Sequence, residues 1–257
     1  MSATPPARVL VTRPAAQAGR WVERLRAAGV AAEALPLIAI VAGEDSAAVS
    51  AAWASLPARR LVVFISANAV LHFFAARPLD APWPDGLDAA APGPGTAEAL
   101  IEAGVAAAAI VAPADDAPQF DSEALWLRLQ ARDWRGASVL FVSGDGGRIW
   151  LADRLREGGA RVDAVSAYRR VAPPFAGDAR RGLERALADR GALWLFSSAE
   201  AIANLEQAAG AGRFAGARAV ATHPRIAERA RAAGFGRVVE AGPGLDAVVA
   251  CIQSIGP

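Results

Sequence analysis

Lysine is absent from this chain; all 27 basic residues are arginine. That excludes Schiff-base catalysis through lysine and a Walker A phosphate loop, whose lysine is indispensable. Cysteine occurs once, as Cys251, so no internal disulfide can form. The only histidines, His72 and His223, lie far from each other and from that cysteine, a poor basis for a zinc or iron centre. No apolar run approaches the roughly 18 residues of a membrane span. The opening Met1-Ser-Ala-Thr-Pro-Pro-Ala-Arg8 lacks the hydrophobic segment of a secretory signal, so a cytoplasmic location is expected. Net charge is only +1, and basic residues gather no further than the pairs Arg59-Arg60, Arg169-Arg170 and Arg180-Arg181. Nucleic acid is therefore not an expected partner, nor is a membrane.

What the chain does contain, it contains nearly twice. Val9-Leu-Val-Thr-Arg-Pro14 leads into Trp21–Gly29, and Val139-Leu-Phe-Val-Ser-Gly144 leads into Leu151–Gly159, an offset of 139 − 9 = 130. Phe64-Ile-Ser-Ala-Asn-Ala-Val70 returns as Phe196-Ser-Ser-Ala-Glu-Ala-Ile202, offset 196 − 64 = 132. Pro94-Gly-Thr-Ala-Glu98 returns as Pro224-Arg-Ile-Ala-Glu228, offset 224 − 94 = 130. Two collinear copies with so long a period describe a duplicated domain, not a solenoid. At 257 residues and 54% hydrophobic content, there is room for two compact lobes of about 125 residues each. Two similar lobes imply a cleft between them, where small-molecule chemistry usually sits.

Short β-rich runs alternate with helical patterns, the signature of βαβ units and parallel sheets. Strands are predicted over 9–12, 31–37, 61–65, 87–91, 107–111, 139–142, 161–166, 192–196, 217–221 and 237–240. Helices are predicted after Pro14 and over 45–55, 68–76, 95–103, 122–132, 148–157, 199–207, 224–233 and 245–252. Two extended passages, from Ile38 and from Tyr168, occupy corresponding places, each after a βαβ unit. They invite an exchanged arrangement in which the first βαβ completes the C-terminal sheet; two consecutive domains are equally compatible with the pattern.

Ligands of open parallel sheets meet the loops at the carboxyl ends of strands. Here those loops are short and polar: Thr12-Arg13, Ser66-Ala67-Asn68, Gly93-Pro-Gly95-Thr96, Ser143-Gly144-Asp-Gly-Gly-Arg148, Ser197-Ser198 and Thr222-His-Pro224. Each precedes a helix whose first amides are unsatisfied and partially positive, a combination suited to a polyanion. The segment from Gly144 is not a dinucleotide loop, because Ile149 stands where the last glycine of that fingerprint belongs. His223 reads as a loop-end residue, His72 as a packed or surface residue, and the seven tryptophans as core. Tyr168, the single tyrosine, lies at the start of a crossover; its phenol could donate a hydrogen bond or act as a weak general acid.

Taken together, Val11-Thr-Arg-Pro14, Ile65-Ser-Ala-Asn-Ala-Val70, Gly93-Pro-Gly-Thr-Ala-Glu-Ala-Leu100, Gly147-Arg148, Tyr168-Arg-Arg170, Phe196-Ser-Ser198 and His223-Pro-Arg-Ile-Ala227 resemble the uroporphyrinogen-III synthase family along essentially the whole length. The resemblance implies an α/β chain of two flavodoxin-like lobes joined by a two-stranded linker, in the exchanged arrangement. Residues 1–37 and 173–257 would form one lobe and 42–167 the other, with 38–41 and 168–172 as linkers. It implies a cofactor-free lyase of tetrapyrrole biosynthesis that closes linear hydroxymethylbilane to uroporphyrinogen III, losing water and inverting the terminal pyrrole ring D. The substrate, a polycarboxylate, would be received from hydroxymethylbilane synthase by a monomeric protein. Its carboxylates would meet amides and hydroxyls around Thr12, Arg13, Ser66, Ala67, Asn68, Gly95, Thr96, Gly144, Arg148, Ser197, Ser198 and Pro224. Tyr168 is the candidate acid or positioning group. The competing expectation is a non-catalytic two-lobe small-molecule binding protein or sensor.

Overall fold

The structure, a computed structural model, describes residues 8–79, 81–114, 117, 119–146 and 150–255. The chain divides into two units, Met1–Ala39 with Val171–Pro257, and Ile40–Arg170. The first unit is thus built from both ends of the chain.

That unit opens with β1 (Val9–Val11), wholly buried, then α1 (Ala15–Ala27) and β2 (Ala32–Ala34). Pro14 sets the entry to α1; Ala18, Val22 and Leu25 are its buried face, and Gly29 ends the turn at φ 78°, a conformation that favours glycine. The chain then crosses into the second unit with β3 (Ala39–Ala42), α2 (Ser46–Ser55), β4 (Leu61–Phe64), α3 (Ala67–Ala75), β5 (Asp88–Ala90) and α4 (Pro94–Glu102). It continues through β6 (Ile110–Val111), α5 (Ser122–Leu129), β7 (Ser138–Gly144), α6 (Trp150–Glu157) and β8 (Arg161–Val171). The first unit is completed by α7 (Gly177–Ala188), β9 (Leu193–Phe196), α8 (Ala199–Ala209), β10 (Arg218–Ala221), α9 (Pro224–Ala232), β11 (Arg237–Glu240) and α10 (Leu245–Ile255).

The two sheets share one spatial plan in two chain orders. The five-stranded sheet runs β11-β10-β9-β1-β2 and the six-stranded sheet β3-β8-β7-β4-β5-β6. Every pairing along β11 to β2, and along β8 to β6, is parallel. Matching β1 with β7, β2 with β8, β9 with β4, β10 with β5 and β11 with β6 superposes the two orders. Each is the flavodoxin-like 2-1-3-4-5 arrangement, circularly permuted in the second unit. Strand alternation sorts the side chains. In β4, Leu61 and Val63 face the cluster of Leu125, Phe141, Leu151 and Leu155, whereas Val62 and Phe64 face that of Trp53, Val70 and Phe73. In β9, Leu193 and Leu195 pack with Val22, Leu25 and Val248, while Trp194 and Phe196 meet Phe235 edge-on.

The two passages of the expected two-stranded linker lie in neighbouring strands, β3 (Ala39–Ala42) and the 11-residue β8. Other expectations need correction. Tyr168 sits within an element, beside a bulge: Ser143 pairs with Ser166 but Gly144 with Tyr168, so the alternation that buries Val165 and Ala167 shifts by one residue and buries Tyr168 as well. The α7 helix was not anticipated; only Leu183 and Ala186 are buried along it, too few apolar positions to mark a period. The predicted strand over 107–111 is mostly a 3-10 turn, Ala107–Ala109, since an alanine run carries no β preference. The seven tryptophans do serve the core: Trp53, Trp134 and Trp194 are buried, and Trp21, Trp83, Trp126 and Trp150 pack half-buried against the core clusters.

Candidate functional site

Parallel order decides where the polar loops fall. In the first unit the neighbouring strands β1, β9 and β10 end in Thr12-Arg13, Ser197-Ser198 and Thr222-His-Pro224, so α1, α8 and α9 begin side by side at one sheet edge. In the second unit the neighbours β7, β4 and β5 end at Gly144, Ser66 and Gly93, and α3 and α4 begin at the matching edge. The strand order reverses beside β1 in one sheet and beside β7 in the other, the switch points where open α/β sheets receive ligands. Arg148 lies outside the described residues.

Within the first unit the hydroxyls are largely committed. Thr12 is buried and its Oγ1 donates to the Leu195 carbonyl at 2.7 Å. Thr12 thus ties β1 to β9 and has its hydroxyl turned into the sheet. Ser198 Oγ accepts the Glu200 amide at 3.1 Å, an N-cap on α8. His223 caps α9, its Nδ1 accepting the Arg225 amide at 3.1 Å, as its loop-end position predicts. Pro224 is the first residue of α9 and has no N–H, so it can offer shape but no donor. Ser197 is half-buried beside Ser198. Arg13 differs from all of these: its guanidinium lies over the Trp21 ring, 4.2 Å from the centroid, and burial lowers its pKa.

The second unit centres on Tyr168. Its ring is 1% exposed and belongs to the core cluster of Phe64, Val70 and Phe73. The ring covers Gly144, at the point where the β7–β8 register shifts between Ser143 and Gly144. A Cβ on Gly144 would come within 2.6 Å of Tyr168 Cζ, so only glycine fits under the phenol. The hydroxyl reaches the carboxyl edge, 3.2 Å from Ser66 Oγ. Ser66 also caps α3, accepting the Ala69 amide at 3.2 Å. Arg170 Nη2 donates to the same phenol oxygen at 3.4 Å, and the His72 ring stacks on Tyr168 with centroids 5.9 Å apart. Desolvation lowers the His72 pKa, favouring the neutral ring.

Ala67 and Asn68 form the half-buried first turn of α3, and Gly95 is exposed in the first turn of α4. Pro94, which opens α4, has no N–H, so the leading amides without an intrahelical acceptor are those of Ala67, Asn68 and Gly95. Thr96 is turned inward, 7% exposed, with its amide donating to Gly93 O at 3.1 Å. The structure thus brings Ser66, Gly144 and Tyr168 together in one unit and Thr12, Arg13, Ser197 and Ser198 along one edge of the other. Arg170 and Trp21 were given no part from sequence, and His72 was read only as a packed or surface residue. Arg170 stands two residues beyond Tyr168 on a strand, a spacing that places both on one face. Among the described residues, no three His, Cys, Asp or Glu side chains gather where a metal could bind. No helix among them is long and apolar enough to cross a membrane.

Residues 19–250 match the family model described as uroporphyrinogen-III synthase HemD. The chain is 34% identical over 170 residues to uroporphyrinogen-III synthase of Salmonella typhimurium, covering 66% of this chain and 67% of that one. It is 32% identical over 166 residues to the enzyme of the same name from Proteus mirabilis, covering 63% and 80%. Among solved structures, uroporphyrinogen-III synthetase from Helicobacter pylori aligns with a TM-score of 0.63 at 14% identity, over 97% of this chain and 99% of the other. A mutant uroporphyrinogen III synthase from Thermus thermophilus aligns with a TM-score of 0.53 at 19% identity, over 97% of both. At those identities the structural likeness speaks for the fold.

Proposed function

Because the chain belongs to the uroporphyrinogen-III synthase family, we propose that its helix-N-terminal loops hold the carboxylates of hydroxymethylbilane while Tyr168 attends the departing hydroxyl. The activity is that of a cyclising lyase in tetrapyrrole biosynthesis: the linear tetrapyrrole loses water, ring D inverts, and uroporphyrinogen III is released. A family match covering residues 19–250 carries this conclusion, and a non-catalytic binding protein is not favoured.

The chemistry suits the residues. Departure of hydroxide leaves a cation stabilised by the electron-rich pyrrole, so the substrate supplies most of the driving force. The protein has to assist that departure, hold the chain of rings and prevent closure without inversion. Orientation of this kind is worth on the order of 7–11 kcal/mol, and one positioned acid about 10²–10⁴-fold. In the proposed step the Tyr168 proton passes to the leaving hydroxyl, forming water. Ser66 and Arg170 then donate to the phenolate oxygen, and the proton released when the macrocycle closes restores the phenol. The amides opening α3, α4 and α8, with Asn68, Ser197 and the Arg13 guanidinium, are the donors assigned to carboxylates. Thr12 and Pro224 shape that edge without donating.

The reading extends to a monomer in the cytoplasm that takes its substrate from hydroxymethylbilane synthase. Hand-over is argued from chemistry, since a reactive hydroxymethyl compound that can close unaided is best captured quickly. Incubating the purified protein with hydroxymethylbilane and separating the oxidised product isomers tests the function. Isomer III in excess of the isomer formed without inversion is expected; a product mixture equal to the protein-free control would refute it.

A further inference from the structure

Several arginines of this protein find acids: Arg8 pairs with Glu33 and Asp189, Arg132 with Asp88, and Arg169 with Glu44. Arg13 finds an indole instead. Its guanidinium carbon lies 4.2 Å from the centre of the Trp21 ring, and its Nε is buried with no hydrogen-bond partner. No carboxylate among the described residues stands within ion-pair reach of it. A partly desolvated guanidinium without an anion is costly to keep, and a stacked one holds its planar fork of N–H donors in a fixed direction.

The backbone is equally constrained. Thr12 is pinned by its hydroxyl and its amide to the Leu195 carbonyl, at 2.7 and 3.3 Å. Pro14 restricts the residue before it, Arg13, to extended backbone. Arg13 is thus held from both sides at the carboxyl end of β1, next to the start of α8, where the sheet order reverses. The first turn of α1 carries no acidic residue, so nothing there competes for the cation.

We propose that Arg13 is a preset receptor for one carboxylate side chain of the tetrapyrrole, and that Trp21 is the residue that positions it. The inference rests on the reading that the chain binds hydroxymethylbilane. Carboxylate is the ligand chemistry because a planar guanidinium engages it through two parallel N–H···O bonds. Trp21 touches Arg13 and not the substrate; its contribution is to spare the guanidinium an ordering cost on binding.

Steady-state kinetics of the full chain, with product isomers resolved, test the pair through Arg13→Gln, Arg13→Lys, Trp21→Leu, Trp21→Phe and Arg13→Gln/Trp21→Leu. Losing one charge-assisted pair should raise KM about 10-fold or more in Arg13→Gln, with kcat little changed. Arg13→Lys should recover only part of the loss, because an ammonium has no fork to stack. Trp21→Leu should raise KM by a smaller factor, Trp21→Phe should stay close to wild type, and the double variant should match Arg13→Gln alone. Additive effects of the two substitutions would overturn the positioning role. An unchanged KM in Arg13→Gln, with wild-type protein still making isomer III, would overturn the receptor while leaving the enzymatic reading intact. Failure of the wild type to make isomer III would instead count against that reading. Should Trp21→Leu melt early, Trp21→Phe and Arg13→Lys decide: equal KM values for Arg13→Lys and wild type would refute a stacked fork.

Discussion

Gly144→Ala puts the placement of Tyr168 to its sharpest test. Gly144 is not one of the left-handed glycines, so its backbone suits alanine. The obstacle is the phenol: an added Cβ would lie 2.6, 2.7 and 3.0 Å from Tyr168 Cζ, Cε2 and Cε1. Carbon atoms rest at about 3.5–4.0 Å, so the ring must retreat by roughly 1 Å. It has little room, being 1% exposed and packed among Val165, Ala167 and Val70. Overpacking of this kind costs about 1–3 kcal/mol, and each kcal/mol lowers Tm by roughly 2–4 °C in a chain of this size. The retreat also carries the hydroxyl away from Ser66, now 3.2 Å distant. Misplacing a reacting group by about 1 Å can cost on the order of 10²-fold in rate. Thermal denaturation reads the first effect and the rate of isomer III formation the second. On a Tyr168→Leu background the same glycine substitution should lose most of its cost in stability, since the clashing atoms are gone. Wild-type Tm together with wild-type turnover in Gly144→Ala would show that the ring does not lie where this geometry requires.

Two further outcomes are expected. Tyr168→Phe keeps the packing and removes the oxygen; isomer III turnover should fall about 10-fold or more, with a stability change near the roughly 0.5–1.5 kcal/mol of one hydrogen bond. Near-wild-type turnover in that variant, beside an unstable Tyr168→Ala, would make Tyr168 a packing residue only. Desolvation lowers the His72 pKa from 6.5 in the folded protein, so between that lowered value and 6.5 the unfolded chain binds the extra proton. Stability should therefore be fully present above about pH 6.5 and decline as pH falls through that window. His72→Gln should flatten the decline; parallel pH–Tm curves for variant and wild type would contradict it.

The duplication was legible because it is a matter of spacing, and so were the strands and helices that carry a period. Which half completes which sheet was not. The offsets near 130 residues are the same whether the repeats fold consecutively or exchange a βαβ unit, and only the pairing of β9 with β1 decides. β8 is hard to follow in the sequence because its polar residues, Ser166, Arg169 and Arg170, look like a crossover. In the sheet a bulge at Ala167–Tyr168 shifts the alternation, so two adjacent residues are buried and no single period runs the length of the strand. Side-chain direction explains the remaining discrepancies. Arg170 and Tyr168 share a face by strand period, so their contact was available from spacing alone. That Arg13 would stack on Trp21 was not, because it depends on how α1 turns against β1.

Hydroxyl residues at the ends of strands invite a simple inventory of ligand donors, and the structure shows why such an inventory overstates them. Thr12 and Ser198 both stand just past a strand of the same sheet, just before a helix. Thr12 follows Leu10 in the strand period and so points into the buried layer, where it serves the Leu195 carbonyl. Ser198 lies one step further out and bends back to cap its own helix. Ser66 does the same and additionally meets Tyr168. Once these internal bonds are made, what the two edges still offer to a polycarboxylate is chiefly backbone: the leading amides of helices that begin side by side because their strands are parallel neighbours. Backbone donors are indifferent to side-chain identity. What such amides require is the strand order that sets the helices beside one another, and the likeness to solved structures at 14–19% identity is a likeness of that fold.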